Sequence, residues 1–148
     1  RDLAEIRGIL EAWAARRAAL RRAEADVTEM ERLLGVMERC WRDGRDTAEQ
    51  DLAFHMVIAR AAGSAIYSHM MTVIRHILAE MISRAHDAPE PDRNGPEFMR
   101  LHRAVFEAVR DGDGDAAAAA MDAHMAWVLD NLAGLFPDDT AQPVPAAQ

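Results

Sequence analysis

The segment Asp51–His55, which reads Asp-Leu-Ala-Phe-His, places a carboxylate and an imidazole four residues apart. Residues four apart on an α-helix lie above one another on the same face. Because Ile58 and Ala62 continue that face, the pattern predicts that Asp51 and His55 point toward the protein core. Buried polar side chains are costly unless they are satisfied, and a divalent metal ion would satisfy both. The segment therefore predicts a helical domain that is built around a polar site.

The composition is that of one helical domain. A length of 148 residues suits a single domain with one core. A hydrophobic content of 50% argues against disorder. Aromatic residues make up only 5%, whereas Ala, Leu, Met, Arg and Glu abound. That mixture favours helix over strand. The net charge of −8 argues against direct binding of DNA or an anionic membrane by this chain.

Three further features indicate the compartment. Cys40 is the single cysteine, so no disulfide framework exists and a reducing cytoplasm is expected. No apolar run approaches the roughly 18 residues of a membrane helix, and no signal peptide is visible. The chain starts within a helical pattern and without an initiator Met, so we expect it to be a fragment of a longer protein.

Apolar spacing and capping signals predict an all-α fold, an antiparallel bundle of about six helices with short connections. Nothing in the sequence predicts a strand. The segment 88–96 is expected to be a loop, and the residues after Pro137 a frayed tail. The expected helices cover residues 2–22, 25–41, 47 to a stop at Gly63, 64–84, 96–109, and a last one that starts at Asp113 or Asp115 and continues through Leu132.

The same spacing predicts which side chains face the core. In the first helix, the expected buried residues are Leu3, Ile6, Ile9 or Leu10, Trp13, Ala14 and Leu20. In the second, they are Val27, Met30, Leu33, Leu34 and Met37. In the fourth, they are Ile66, Met70, Val73, Ile74, Ile77, Leu78 and Met81. These three stripes follow the positions of the large apolar residues.

Two other histidines share apolar helix faces, as His55 does. His102 precedes Val105, Phe106 and Val109 on one face, and His124 lies between Met121, Met125 and Val128 on another. Together with Asp51 and His55, they form what we call the four-residue site. One oxygen and three nitrogens suit Zn²⁺, Ni²⁺ or another first-row ion. The alternative is that these are structural core histidines, which are more common than ligands.

The remaining polar motifs have plainer explanations. His69 and His76 are expected to be exposed or to pack between helices, and His86 to be solvated at a helix end. The pair His86-Asp87 resembles the dyad of helical metal-dependent phosphohydrolases, but that interpretation needs further ligands from neighbouring helices, and the pair is expected at the edge of a loop. The run 111–115 does not start an EF-hand calcium loop. Counted from Asp111, the sixth and twelfth positions hold Ala116 and Asp122, where such a loop needs Gly and Glu. A helix stop and a new N-cap explain that run.

Four blocks of the sequence resemble one protein family. Each alone is loose, but all four in order are specific. The blocks are residues 5–12, 51–63, 102–109 and 114–124, which resemble the patterns E-x-R-x-x-L-E-x, D-x-x-F-H-x-x-I-A-x-A-x-G, H-x-x-I-x-x-A-I and G-D-x-x-x-A-x-x-x-M-x-x-H. The chain thus resembles, from Arg1 to about Leu135, the C-terminal effector-binding (FCD) domain of FadR-type regulators in the GntR family of bacterial transcription factors.

The resemblance implies particular site residues. The family's metal ligands fall on Asp51, His55, His102 and His124, and Zn²⁺ is the first expectation, with Ni²⁺ or Mn²⁺ as alternatives. Arg7 is a candidate for pairing with an effector carboxylate; a surface salt bridge to Glu11 would explain it equally. Ser64 stands where the family often has Asn at a cavity-lining position. Leu101 stands where the family often has Glu.

The resemblance also implies a regulatory function without catalysis. Residues 1–136 would form a metal-containing effector-binding domain, and residues 137–148 a flexible tail. A winged helix-turn-helix domain, absent from this chain, would precede Arg1 and bind operator DNA. The effector would be a small carboxylate, the protein a cytoplasmic homodimer, and no membrane would be involved.

Two functions of other classes stay open. One is a metal-dependent helical enzyme that uses the same Asp/His site, with an open coordination position to activate water. This alternative needs a base, and no Glu is placed convincingly on an inward stripe. The other is a helical interaction domain with structural histidines and no metal.

Overall fold

The computed structural model describes residues 2–85 and 95–131, and side chains within 5–76 and 95–131. This part of the chain contains six helices and no strand, which confirms the predicted all-α fold. The helices are α1 (Asp2–Arg21), α2 (Glu24–Arg42), α3 (Ala48–Ala61), α4 (Ala65–Ala85), α5 (Gly95–Asp111) and α6 (Gly114–Asn131).

Glycines and aspartates set the helix boundaries. Gly63 after α3 and Gly112 after α5 adopt φ values of 67° and 78°, which only glycine adopts readily. Asp113 caps α6, because its Oδ1 accepts the Ala116 N–H at 2.9 Å. The predicted stop and cap around residues 111–115 are therefore found. At α3, Thr47 makes no side-chain cap bond, and the Asp46 carboxylate accepts the Ala48 N–H instead.

The core lies between α1 and the helices that surround it. α1 packs against α6, α3 and α5, while α2 packs against α3 and α5. The predicted apolar faces of α2, α5 and α6 are buried, with Val27, Phe98 and Leu129 at the edge of the core. The largest apolar side chains at the centre are Phe54, Met30, Met37, Ile58, Met71, Met121 and Met125.

The predicted face of α1 is mostly wrong, although Ala14 is buried and Leu10 packs against the core as predicted. Ile6, Ile9, Trp13 and Leu20 lie on the surface, with Ile9 73% exposed. The buried face consists of small and polar residues, of which only Ala14 was predicted: Arg7, Glu11, Ala12, Ala14, Ala15, Ala18 and Ala19. The physical reason is close packing between helices. A Cβ at Gly8 would lie 3.5 Å from Met125 Cβ, and one at Gly114 would lie 3.2 Å from the Arg16 backbone oxygen.

The predicted face of α4 is also rotated. Tyr67, Met71 and Ile74 are buried, whereas Ile66, Met70 and Val73 are exposed. Only Ile74 was predicted correctly among these. α1 and α4 touch through the rings of Trp13 and Tyr67, whose centroids are 5.7 Å apart. We call the surface residues Ile6, Ile9, Trp13, Leu20, Ile66, Met70 and Val73 the exposed apolar set.

Several predictions lie outside the described residues. These are the loop before residue 95, the His86-Asp87 pair and the tail 137–148. The side chains of Leu3, Ile77, Leu78 and Met81 are likewise not described. Within residues 2–85 and 95–131, no helix combines the length and the apolar character that crossing a membrane requires.

Candidate metal centre

The four-residue site is assembled from three helices. α3 contributes Asp51 and His55, α5 contributes His102, and α6 contributes His124. One ligand atom from each residue lies within 4.8 Å of all the others. Asp51 Oδ1 is 2.7 Å from His102 Nε2, and His55 Nε2 is 3.2 Å from His124 Nε2. The structure thus brings together all four predicted residues, while metal binding itself stays a prediction.

The site is buried but not sealed. Each of the three histidines is 1% exposed, whereas the Asp51 side chain keeps 19% of its surface accessible. Phe98 packs against His102 with ring centroids 4.3 Å apart, and Phe54 lies 5.2 Å from the same ring. The aromatic rings therefore cover the imidazoles, and access from outside is at the carboxylate.

The donor set fits a first-row divalent ion. His55 Nε2 faces His124 Nε2, and His102 Nε2 faces Asp51 Oδ1. Two imidazole lone pairs 3.2 Å apart repel each other unless a proton or a cation lies between them. Three nitrogens and one oxygen are a common first set of ligands for zinc and its neighbours. His124 Nδ1 is buried and has no hydrogen-bond partner.

Two of the ring nitrogens that face away from the site, those of His102 and His55, have their own partners. His102 Nδ1 donates to the Phe98 carbonyl at 2.9 Å. His55 Nδ1 contacts Glu11 Oε2. Glu11 in turn accepts a hydrogen bond and ion pair from Arg7 Nε. Such outer contacts select the histidine tautomer that leaves Nε2 free to act as a ligand.

The charges of the site shift several pKa values. Burial opposes the charge on His55, but the carboxylates of Glu11 and Asp51 outweigh it and raise the His55 pKa to about 9. Burial, together with the charges of His102 and His55, lowers the His124 pKa well below its usual value. The two imidazoles that face each other at Nε2 therefore differ: His55 favours the protonated form, whereas His124 favours the neutral form.

The carboxylates remain ionised despite burial. Desolvation opposes the charge on Asp51, but hydrogen bonds from His102 and His55 lower its pKa well below the usual range. Desolvation likewise opposes the charge on Glu11, and Arg7 and His55 outweigh it, so the Glu11 pKa is also lowered. Asp51 therefore offers an ionised oxygen to a cation.

The other predicted residues have different surroundings. Arg7 forms the ion pair with Glu11 that the sequence offered as an alternative, but the pair is buried rather than on the surface. Ser64 caps α4, since its hydroxyl oxygen accepts the Tyr67 N–H at 3.2 Å. His69 and His76 are exposed, which is one of the two environments predicted for them. His86 lies outside the described residues.

Glu11 is the site residue that sequence reasoning missed. It is 1% exposed, so the expectation that no Glu faces inward is wrong. The spacing of Arg7 and Glu11, four residues apart beside a run of alanines, was the available signal. Glu11 contacts His55 at Nδ1, on the opposite edge of the ring from Nε2. That position suits orientation of the ring and does not suit activation of a metal-bound water.

The comparisons with known proteins point to one family. A family model described as the FCD domain matches residues 2–126. The chain is similar to the HTH-type transcriptional regulator LutR of Bacillus subtilis strain 168, with 30% identity over 141 residues, 94% of this chain and 64% of that protein. It is 27% identical to the galactonate operon transcriptional repressor of Escherichia coli K12, over 80% of this chain and 51% of the repressor.

A third relative is named as an L-lactate dehydrogenase operon regulatory protein of Escherichia coli K12, with 30% identity over 86% of this chain and 49% of that protein. All three are named as regulators, which agrees with the expectation that the chain is not an enzyme. The chain spans 49% to 64% of the length of these relatives.

Two solved structures share the fold. Streptococcus agalactiae GntR matches with a TM-score of 0.74 and 24% identity, over 86% of this chain and 56% of that one. Escherichia coli McbR/YncC matches with a TM-score of 0.76 and 19% identity, over 91% of this chain and 63% of that one. At these identities the likeness concerns the fold alone.

Proposed function

Because the chain belongs to the FCD domain family, we propose that it is the effector-sensing domain of a bacterial GntR-type transcription regulator of the FadR subfamily. The observation that carries this proposal is the convergence of three imidazoles and one carboxylate at a single buried point. The Nε2 atoms of His55 and His124 face each other and need a cation or a proton between them, and the sequence pattern predicts that all three histidines face the core.

The four-residue site would hold one divalent metal ion, Zn²⁺ first, with Ni²⁺ or Mn²⁺ as alternatives. The ion would supply a Lewis acid that binds an effector carboxylate at an open coordination position. The lowered pKa of Asp51 supports cation binding, because the carboxylate is ionised at neutral pH. The exposed edge of Asp51 supports entry of the effector from that side.

The effector would be a small organic acid, as the names of two relatives support. Those proteins are named after galactonate and L-lactate dehydrogenase operons, and galactonate and lactate are both hydroxycarboxylic acids. Arg7 donates to Glu11 through Nε, so we assign the other guanidinium nitrogens to the effector carboxylate. We assign the hydroxyl hydrogen of Ser64 the same role, because its oxygen already accepts the Tyr67 N–H.

In the whole protein, effector binding would alter how a winged helix-turn-helix domain meets operator DNA, as a shift between two arrangements. The relatives are longer than this chain, and one is named as an HTH-type regulator, which supports a further DNA-binding domain. The exposed apolar set supports self-association as a homodimer, since monomers rarely expose large apolar patches. We place the protein in the cytoplasm.

Metal content is the direct test. The domain is purified without a histidine tag and analysed by mass spectrometry beside two variants. We expect about one divalent ion per chain in the wild type and in His69→Ala, whose side chain is exposed, and none in His55→Ala. A wild-type domain that contains no metal, and takes up none from zinc, nickel or manganese solutions, would contradict the proposal.

Effector binding is tested on the metal-loaded domain by thermal shift. Hydroxycarboxylic acids should raise the melting temperature, since a ligand that binds only the folded state stabilises it. The same acids should have no effect on metal-free His55→Ala. An equal shift in the two proteins would show that the acids bind somewhere other than the metal.

A further inference from the structure

Glu11 forms a buried contact chain with Arg7 and His55. Arg7 Nε donates to Glu11 Oε1, and Glu11 Oε2 contacts His55 Nδ1. Arg7 is 5% exposed, and Glu11 and His55 are each 1% exposed. Two of these residues belong to α1, which contributes none of the four ligand atoms. These contacts thus link α1 to the four-residue site through Nδ1 of His55, which is one of the proposed ligands.

We propose that Glu11 is a positioning residue, which holds His55 with its hydrogen on Nδ1 and its lone pair on Nε2. This inference rests on the proposed function, since it concerns the metal-bound state of the four-residue site. A neutral imidazole carries one hydrogen, and the nitrogen without it can bind a metal. An ionised carboxylate can only accept, so the hydrogen stays on Nδ1 and Nε2 faces the other ligands.

The three histidines differ in what holds them. His102 Nδ1 has a neutral backbone carbonyl as its partner, and His124 Nδ1 has no hydrogen-bond partner. His55 alone among the three has a carboxylate there. A charged acceptor makes the imidazole a better electron donor than a carbonyl does. His55 is therefore the ligand whose contribution depends most on a residue outside the four-residue site.

Arg7 completes the arrangement by neutralising Glu11. Arg7 Nε donates to Glu11 Oε1, and the two side chains form a buried ion pair. This pair fixes the carboxylate of Glu11 so that its other oxygen, Oε2, faces His55 Nδ1. Arg7 therefore has a structural task at the metal site in addition to the effector contact assigned to it above.

The test is Glu11→Gln, which keeps the shape of the side chain and removes its charge. Its matched control is Glu31→Gln, the same change at an exposed position on α2. The zinc dissociation constant is measured by competition with a chromophoric chelator, and folding by circular dichroism. We expect Glu11→Gln to bind zinc about 10- to 100-fold more weakly, as loss of such outer partners usually does. Glu31→Gln should match the wild type.

A second measurement needs no variant. Nitrogen-15 NMR of the zinc-loaded wild type distinguishes a histidine that binds through Nε2 and carries a hydrogen on Nδ1 from the opposite tautomer. We expect the first pattern for His55, with a low-field Nδ1 proton. If Glu11→Gln does not fold, this spectrum decides the question, and coordination of His55 through Nδ1 would overturn the proposal.

The outcomes separate this inference from the function on which it rests. If the wild type binds no zinc, the proposed metal site is wrong and the role of Glu11 falls with it. If the wild type binds zinc and a folded Glu11→Gln binds it equally well, the metal site stands and only the positioning role of Glu11 is wrong.

Discussion

His55 Nε2 lies 3.2 Å from His124 Nε2, although the residues belong to α3 and α6 and are 69 positions apart in the chain. Both side chains are almost fully buried. Two neutral nitrogens with facing lone pairs would repel each other, so this approach requires a proton or a metal ion between them. The same two atoms would both become ligands if the site held a divalent ion.

Replacing His124 should separate metal binding from folding. His124→Leu removes the nitrogen and keeps a similar volume, but it leaves His55 Nε2 without its buried partner, so the metal-free domain should lose about 1–3 kcal/mol. In the wild type, zinc at 100 times its dissociation constant should stabilise by about 2.7 kcal/mol and raise the melting temperature by roughly 5–10 °C. The variant should show no zinc-dependent rise in calorimetry. His76→Leu, at an exposed position, is the control, and a rise in His124→Leu equal to that of the wild type would contradict the assignment.

The exposed apolar set should be required for self-association. We expect the wild type to sediment as a dimer and the double variant Ile66→Asp, Val73→Asp as a monomer, because charges there cannot be buried between two copies. The two positions lie on the outer face of α4. Ala119→Asp, at an exposed site on α6, should leave the dimer intact. A dimer that persists in the double variant would place the interface elsewhere.

Two glycine-to-alanine changes within helices should have opposite effects on the free energy of unfolding. A Cβ at Gly95 would lie 1.8 Å from Trp41 Nε1, so Gly95→Ala should destabilise the domain by about 1–3 kcal/mol. A Cβ at Gly35 would meet only the end of Arg39 at 3.5 Å. Gly35→Ala should therefore stabilise by about 0.5–1 kcal/mol, because alanine loses less backbone entropy. Urea denaturation measures both, and a stable Gly95→Ala would show that Trp41 moves away freely.

Asp26 should contribute more to stability than the neighbouring surface pairs. Its Oδ1 accepts hydrogen bonds from Arg60 Nε and from the second guanidinium nitrogen at 3.0 and 2.8 Å, and its Oδ2 accepts the Ala23 N–H at 3.0 Å. Asp26→Asn should cost about 1 kcal/mol, since it weakens a helix cap and a link between α2 and α3, although Arg60 is mostly solvated. Glu29→Gln, which removes an exposed pair with Arg32, should change the urea midpoint little. Equal midpoints for the two variants would argue against the link.

Much of the fold could be predicted from local patterns. The helical spacing of apolar residues, together with capping signals, predicted all six helices in the described part of the chain to within a few residues. Glycine at residues 63 and 112 and Asp113 marked boundaries because backbone conformation and capping depend on adjacent residues. The members of the four-residue site could also be predicted from the sequence, because His102 and His124 lie on strongly apolar helix faces where a polar residue is conspicuous.

The sequence by itself therefore determined where the helices begin and end and which polar residues face inward on α3, α5 and α6. Only the tertiary structure decided the buried faces of α1 and α4. Large apolar residues usually mark the core, but α1 packs too closely on α6 for Ile9 or Trp13 to fit between them, so alanines occupy that side. The same orientation of α1 directs Glu11 inward against His55, which is 44 residues away in the sequence. Which surfaces meet depends on the whole packing arrangement, because no local pattern contains the distance between two helices.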